Sequence, residues 1–481
     1  MSFPKYPEYK DSGVEWLGEV PAHWKVGKIR YFARLESGHT PSRNKPEYWE
    51  NCTVPWFSLS DVWQIRSGEA TEVFDTSEKV SELGLKNSSA RILPKGTVML
   101  SRTASVGFSA IMGRAMATTQ DFANWVCGDE LFAKYLLFCF RGMDREFAKL
   151  MRGSTHKTIY MPDIAELTCA VPPLEEQKDI VSSLGFEVRK IDALIEEQQR
   201  LIELLKEKRQ AVISHAVTKG LDPNVPKKDS GVEWLGEVPA HWVVLDLGRV
   251  TVSKCDGPFG SALKSEHYSS AGVRVVRLQN IKKSSFNDRD AAFVSEEYFE
   301  SLGRCSEVVG GDLLLAGLGD ERNAVGRACV APDSVAPAMV KADCFRFRLD
   351  LSKVLPGFVA EQLSAGAESD AGELATGSTR SRIPLSLMAK RKISIPSLGE
   401  QTRVLEYLAK ERASMDELMD EACAAISLLH ERRSALISAA VTGKIDVRGW
   451  SSGTSDAPGS ARWPTTSAAR CWSSSPTGAV T

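Results

Sequence analysis

No run of about 18 apolar residues occurs anywhere in the 481 residues, so a helix long enough to cross a bilayer is not expected. The opening stretch, Met1 to Ser12, is polar and proline-bearing, unlike the apolar core of a secretory signal, and a cytoplasmic protein with no membrane contact is expected. Ten cysteines are scattered with no pair closer than Cys127 and Cys139, which excludes a Cys-x-x-Cys zinc site and points to reduced thiols. Charge of one sign is also lacking: the formal net charge is −2, so any site for a polyanion must be a local patch. Catalytic signatures are missing as well. There is no Walker A loop, no Gly-x-Gly-x-x-Gly and no Asn-Pro-Pro-Tyr motif. Gly257 to Lys264 imitates a phosphate loop but lacks its Gly-Lys-Ser/Thr ending, and Pro162-Asp163 and Pro332-Asp333 have no Glu-x-Lys strand nearby. His23 and His241, each between Ala and Trp, read as packing or turn residues. A non-catalytic binding protein is the expectation.

What the chain does have is duplication. The 14-residue string from Asp11 to Trp24 recurs without mismatch from Asp229 to Trp242, 218 positions on. The stretch Gly153 to Asp222 aligns without gaps, 224 positions on, with Gly377 to Asp446. The second intervening segment is therefore six residues longer than the first, and the two have diverged almost completely.

From Glu175 to Val217 there is no proline and a single glycine, Gly185, and apolar residues recur at helical spacing. The seam comprises Ile180, Leu184, Val188, Ile191, Ile195, Ile202, Leu205, Val212 and Ala216, with Gln198 and Arg209 in intervening slots. The second copy, Glu400 to Val441, keeps the register with Val404, Leu408, Met415, Met419, Ile426, Leu429, Leu436 and Ala440. Helices of this extent are on the order of 60 Å long, and one apolar seam needs a partner. The obvious partner is the duplicate, in a coiled coil. Arg209 and Arg433 share a seam position; they mark either a helix end open to solvent or a polar contact that sets register.

The segments between the repeats read as mixed α+β. Strands are expected over Thr97 to Ser101, Val273 to Ile281 and Phe345 to Leu349, and a helix from an N-cap near Asp129 through Phe132, Tyr135, Leu136 and Phe147. Lys25 to Lys45 carries six Lys or Arg against Glu36 alone, a local charge of +5, and Lys264 to Arg289 carries six against Glu266 and Asp288, a local +4. Each cluster is either a phosphate-contacting patch or a solvated surface. Both segments close on a Gly-Ser-Thr signal, Gly153 to Thr158 and Gly377 to Arg382, where hydroxyls, amides and cations could hold phosphate oxygens or simply start a helix. The candidate DNA-contacting residues are Thr40, Ser42, Arg43, Lys45, Arg102, Ser154, Thr155, His156 and Lys157 in the first segment. In the second they are Lys264, Arg277, Gln279, Asn280, Ser378, Thr379, Arg380 and Arg382. No metal site is expected.

Taken in order, Trp16-Leu-Gly-Glu-Val-Pro21 with Trp24, Ser37 to Pro41, Pro55-Trp56 leading to Asp61-Val62, Asp256 to Lys264, Gly153 to Ile159, Pro172 to Gln177 and Ala440 to Asp446 resemble the specificity subunit of a type I DNA restriction-modification system. The resemblance runs over residues 10–448; the second copy departs at Gly399, where the first has Glu175. It implies an α+β fold of two tandem mixed α/β target-recognition domains, each followed by a long helix. The helices would pair as an antiparallel coiled coil with internal pseudo-twofold symmetry. It implies double-stranded DNA as ligand, read as a split asymmetric site, two methyltransferase subunits as partners, and restriction and translocation subunits besides. S-adenosylmethionine, ATP and Mg2+ would belong to those partners and none to this chain.

The corresponding divisions are 1–24 for the first repeated segment, 25–172 for the first recognition domain, 173–222 for the central helix and 223–242 for the second repeated segment. Residues 243–396 form the second recognition domain, 397–446 the C-terminal helix, and 447–481 a Ser, Thr, Ala, Gly and Pro-rich tail expected to be disordered. A frame-shifted or read-through extension is one origin compatible with that tail. Other classes of function are a coiled-coil scaffold whose variable domains bind proteins or other ligands, and an enzyme acting alone.

Overall fold

A computed structural model describes residues 3–68, 70–153, 157–320, 322–367 and 381–449. The expected tail, apart from residues 447–449, lies outside the described residues. The chain divides into two units, Met1–Glu196 with Ser427–Thr481, and Glu197–Ile426. The division falls inside both long helices, Leu174–Lys219 and Leu398–Val441. Each unit therefore holds one recognition segment, the near part of its own helix and the far part of the other.

In unit 1 a five-stranded sheet runs in the order Ala33–Ser37, Phe122–Cys127, Val98–Ser101, Ser109–Met112, Glu72–Val73. Its register sets Trp125 opposite Leu35 on one side and Val98 on the other. Beside it, Val54–Phe57 pairs in parallel with Ala117–Thr118 and antiparallel with Lys79–Val80. Lys25–Lys28 pairs with Thr168–Val171, which ties the two ends of the recognition segment together. Unit 2 repeats the plan. Thr251–Cys255, Cys344–Leu349, Leu313–Ala316 and Ala328–Val330 follow in the same order, Val273–Val276 runs parallel to Ala338–Val340, and Val243–Asp246 pairs with Lys392–Ile395.

The identical repeats supply a buried tryptophan to each core, Trp24 and Trp242, both fully inaccessible. Their indole N–H groups donate to the glutamate at the third position of each long helix, Trp24 Nε1 to Glu176 Oε1 at 2.9 Å and Trp242 Nε1 to Glu400 Oε1 at 3.0 Å. His23 and His241 bond the other carboxylate oxygen at 2.8 and 2.9 Å, so the histidines are joints between repeat and helix. In unit 1 the Tyr135 hydroxyl donates to the carbonyls of Ala170 and Val441, locking the end of the second long helix into the core.

The long-helix seam is buried at Ile180, Leu184, Ile191, Ile195, Leu205, Val404, Leu408 and Met415, and half-buried at Ile202, Met419, Ile426 and Leu429. Its first turns do more than pair helices. Ile180 and Leu184 sit in the same core as Trp24 and Tyr135, and Val404 and Leu408 pack with Trp242 and Phe358. Within each unit the two helical segments run antiparallel. Unit 1 sets Arg433 Nε 3.2 Å from Asp192, and unit 2 sets Arg209 on Asp416 through two bonds of 2.8 and 3.0 Å. Asp192 and Asp416 are 224 positions apart, as are Arg209 and Arg433, so the duplication preserved both members of the pair. The seam arginines thus make a register-setting contact and do not mark open helix ends.

Two expected elements differ. The helix foreseen from Asp129 begins at Ala133, stops at Gly142 and resumes as Asp144–Leu150. Its cap is not Asp129: the Phe132 N–H donates to Gln177 Oε1 at 2.8 Å, a long-range side chain serving where an N-cap residue ordinarily does. Gln401 does the same for Leu355 at 2.7 Å. The strand foreseen over Val273 to Ile281 ends at Val276, because the Asn280 side chain accepts from the Arg277 N–H and closes a turn; pairing resumes at Ile281–Lys282.

Candidate nucleic-acid interface

The basic loop of unit 1 is held by one close approach. A Cβ on Gly38 would lie 2.2 Å from the Thr118 hydroxyl and from the Thr119 carbonyl, so only glycine lets the chain cross the sheet edge there. Gly257 plays that part in unit 2, where a Cβ would meet Val340 O at 2.2 Å. Beyond Gly38 the loop is anchored by its carbonyls. Trp56 Nε1 donates to His39 O and Trp49 Nε1 to Ser42 O, each at 3.2 Å.

Several of the sequence-predicted residues converge on this edge. Thr40 Oγ1 donates to Gln120 Oε1 at 2.7 Å, while Arg102 Nε donates to Gln120 O at 2.8 Å and its Nη1 to Ile159 O at 3.3 Å. Ala104 N donates to the carbonyl of Lys157, whose side chain is exposed. Thr40, Arg102 and Lys157 are thereby joined through Gln120 and the backbone bonds of Ala104 and Ile159. Exposed Ser42, Arg43 and Lys45 stand further along the loop. The Arg43 guanidinium lies 3.8 Å from the Trp49 ring centroid and pairs with Glu78 at 2.5 Å, and Lys45 Nζ donates to the Tyr48 hydroxyl. A guanidinium stacked on an indole presents its edge to solvent, the arrangement that suits phosphate or base contacts.

In unit 2 Arg382 occupies the matching edge. It bridges to Leu318, its Nε donates to Asp343 Oδ1 at 2.8 Å, and its guanidinium lies 5.6 Å from the Phe259 ring. Gly319 N donates to Ser381 O and Ile383 N to Gly317 O, repeating the Ala104–Lys157 and Ile159–Arg102 bonds of unit 1. Beneath this edge Asp256 Oδ1 accepts from the N–H groups of Gly257 and Asp343. Burial nevertheless pushes its carboxyl up to about 6, with Asp343 adding to the rise and the two N–H bonds and Arg382 opposing it.

The remaining candidates fare differently. Asn280 is fully buried, its Nδ2 donating to the carbonyls of Asn287 and Asp290, so it is a structural pin and not a DNA contact. Its partially buried neighbour Arg277 and the exposed Gln279 both bond the Asp290 carboxylate. Lys264 is exposed beside Glu266, on a separate turn from Arg382. Ser154, Thr155, His156, Ser378, Thr379 and Arg380 lie outside the described residues. Sequence reasoning also passed over Trp63, 70% exposed, and Phe259, 50% exposed. The signal for Trp63 was its place directly after Asp61-Val62, a turn the sequence had already singled out. Among the described residues no cluster of ligating side chains could hold a metal, and no helix is long and apolar enough to cross a membrane.

A profile of the type I restriction modification DNA specificity domain matches residues 21–206, which span the first recognition segment and most of its long helix. The type I restriction enzyme MjaIX specificity subunit of Methanocaldococcus jannaschii is 26% identical over 281 residues, covering 57% of this chain and 61% of that protein. Over these stretches the chain is similar to type I restriction-modification specificity subunits. A second relative, the EcoR124I/EcoR124II specificity subunit of Escherichia coli, is 26% identical over 212 residues, 42% of this chain and half of that one. The chain thus spans about half to three fifths of the length of these specificity subunits.

Solved structures carry the likeness to the fold. The HsdS subunit from Thermoanaerobacter tengcongensis superposes with a TM-score of 0.51 at 16% identity, covering 89% of this chain and 98% of that one. A chain from structural work on complex assembly and conformational transition of the type I R-M system gives 0.59 at 16% identity, covering 88% and 98%. The fold shared with these structures is that of tandem mixed α/β segments, each leading into a long helix.

Proposed function

We propose that this chain is the DNA-recognition subunit of a type I restriction-modification complex. It carries no catalysis of its own, reads a split asymmetric double-stranded site through its two recognition segments, and scaffolds two methyltransferase subunits and the restriction and translocation subunits. S-adenosylmethionine, ATP and Mg2+ are assigned to those partners, and the complex to the cytoplasm. One observation carries the reading. The two units hold the same loop edge by the same backbone bonds, Ala104 with Lys157 and Gly319 with Ser381, yet present different side chains there. A constant frame with variable exposed residues supports two half-sites of different sequence.

The test is binding of target DNA by the purified complex across a range of salt. Affinity should fall steeply as salt rises, and Lys157→Ala or Arg382→Ala should each flatten the log–log slope by about 1 while leaving the thermal unfolding unchanged. A salt-independent affinity would sink the proposal, as would methylation or cleavage by this chain alone. Mapping methylated adenines in DNA exposed to the assembled complex identifies the site itself.

A further inference from the structure

Each unit has a cavity between its recognition segment and a long helix, and the two are equivalents under the duplication. Arg209 and Ile213 line the cavity of unit 2, of about 350 Å3, and Arg433 and Ile437, 224 positions on, line that of unit 1, of about 320 Å3. The capped helices contribute matching positions too. Counted from the caps Phe132 and Leu355, Arg141 in unit 1 takes the place of Ser364 in unit 2.

In unit 2 the charges of Glu361, Arg412 and Arg209 on the cavity wall are matched by other side chains. Glu361, 5% exposed, pairs with Arg412 at 2.5 Å and accepts from Ser284 Oγ at 2.7 Å. Arg209 is held by Asp416, and Ser364 Oγ is bonded to the N–H and C=O of Ala328. Unit 1 has no such carboxylate at this point, because the place of Glu361 is taken by Phe138. Arg141 donates to a single carbonyl, Ala70 O at 3.0 Å, and pairs with no carboxylate among the described residues. Burial and the neighbouring Arg433 bring its guanidinium down to about 10, against the opposing charge of Asp192. Arg433 is already engaged by Asp192 and the carbonyls of Ser67 and Gly68. The other acid on the wall, Asp144, is pushed up by burial, which disfavours its charge. Ser109 is 4% exposed, lines the cavity, and its hydroxyl has no partner among the described residues. A buried, unpartnered hydroxyl on the wall of the same cavity as a guanidinium without a carboxylate partner is a costly arrangement unless an acceptor fills the space.

We propose that the unit 1 cavity binds an oxyanion of the phosphate class, held by Arg141 and Ser109 with Arg66 at its rim. A guanidinium fork and a hydroxyl donor suit a tetrahedral oxyanion, and the volume admits a phosphate monoester as readily as the free ion. The site is distinct from the Gly38 loop edge.

The experiment is calorimetric and 31P NMR titration of the full-length chain with inorganic phosphate, chloride holding the ionic strength constant. One saturable site per chain is expected. Arg141→Gln and Ser109→Ala should each weaken it about tenfold, and Arg66→Ala less, while Glu361→Gln or Ser364→Ala in unit 2 should leave it unchanged. No saturable binding above the chloride background overturns the proposal, as does phosphate affinity untouched by Ser109→Ala. That near-isosteric variant carries the test should Arg141→Gln fail to fold. Duplex DNA in excess assigns the source: displacement of phosphate identifies a backbone phosphate as the occupant, and retention identifies a free oxyanion.

Discussion

At the same point of the chain trace, one strand past the basic loop, unit 1 places Asp61 and unit 2 places Asn280, and both are fully buried. Asp61 accepts from the Ser58 N–H and from the N–H and hydroxyl of Ser77, four lone-pair sites meeting only donors. Asn280 accepts from the Arg277 N–H but turns its amide toward the carbonyls of Asn287 and Asp290. The turn is the same and the chemistry that pins it has been exchanged, donors for a carboxylate and carbonyls for an amide. What the pinned turn exposes has changed with it. Unit 1 carries the solvent-facing Trp63; unit 2 carries Gln279, tied to Asp290. Divergence has therefore worked on whole self-consistent loops, interior and exterior together, while the joints at Glu176, Gln177, Glu400 and Gln401 kept both residue and partner.

That contrast can be broken most severely at the joints. Leu184→Asp and Leu408→Asp bury an unpaired charge in unit 1 and unit 2 respectively, and each should cost more than about 4 kcal/mol and abolish assembly with partner subunits. Intact complexes by size-exclusion chromatography would refute the shared cores. Gln177→Ala and Gln401→Ala should be nearly equal in effect, about 2–3 kcal/mol each by chemical denaturation. Each glutamine makes three bonds, Gln177 to Phe132 N, Glu130 O and Pro172 O, and Gln401 to Leu355 N, Lys353 O and Pro396 O. Unequal costs would mean that the two caps are not equivalent.

The register pair should discriminate between units. Asp192 and Arg433 are 18% and 13% exposed, whereas Asp416 is 52% exposed. Asp192→Asn should cost about 2 kcal/mol and be insensitive to salt, and Asp416→Asn less than about 1 kcal/mol with an effect that fades in high salt. The smallest effect is the pH response of Asp256. Its folded carboxyl titrates near 6, above its unfolded value, so its stabilising contribution is fully present below the unfolded pKa and lost as pH rises through 6. Asp256→Asn should flatten the dependence of unit 2 stability on pH between 4 and 7. An unchanged profile would show the carboxyl to be better solvated than its surroundings indicate.

Much of this is legible in the sequence because it is periodic or repeated. The seam residues, their 224-residue offset and the tryptophan repeats announce themselves by spacing, and the basic loop by its charge. What stayed hidden depends on contacts between distant residues. Gln177 looked like an ordinary first-turn residue until it capped Phe132, 45 positions earlier. Asp129 was the better local candidate for that cap and lost to a tertiary bond. Asn280 carried the right functional group for a base contact, but only its burial reveals that the group is spent inside the protein. The unpartnered hydroxyl of Ser109 leaves no trace in the sequence, since a strand serine is common and its surroundings decide what it can do.

The core of unit 1 is completed by Ile437, Ala440 and Val441, whereas unit 2 is a continuous stretch of chain from Glu197 to Ile426. Synthesis therefore inverts the order of the sequence. The second unit has all its parts once residue 426 leaves the ribosome, while the first, begun hundreds of residues earlier, must wait for the end of the second long helix. A premature stop anywhere before that point would damage the beginning of the protein, leaving its N-terminal recognition segment without the residues that close it.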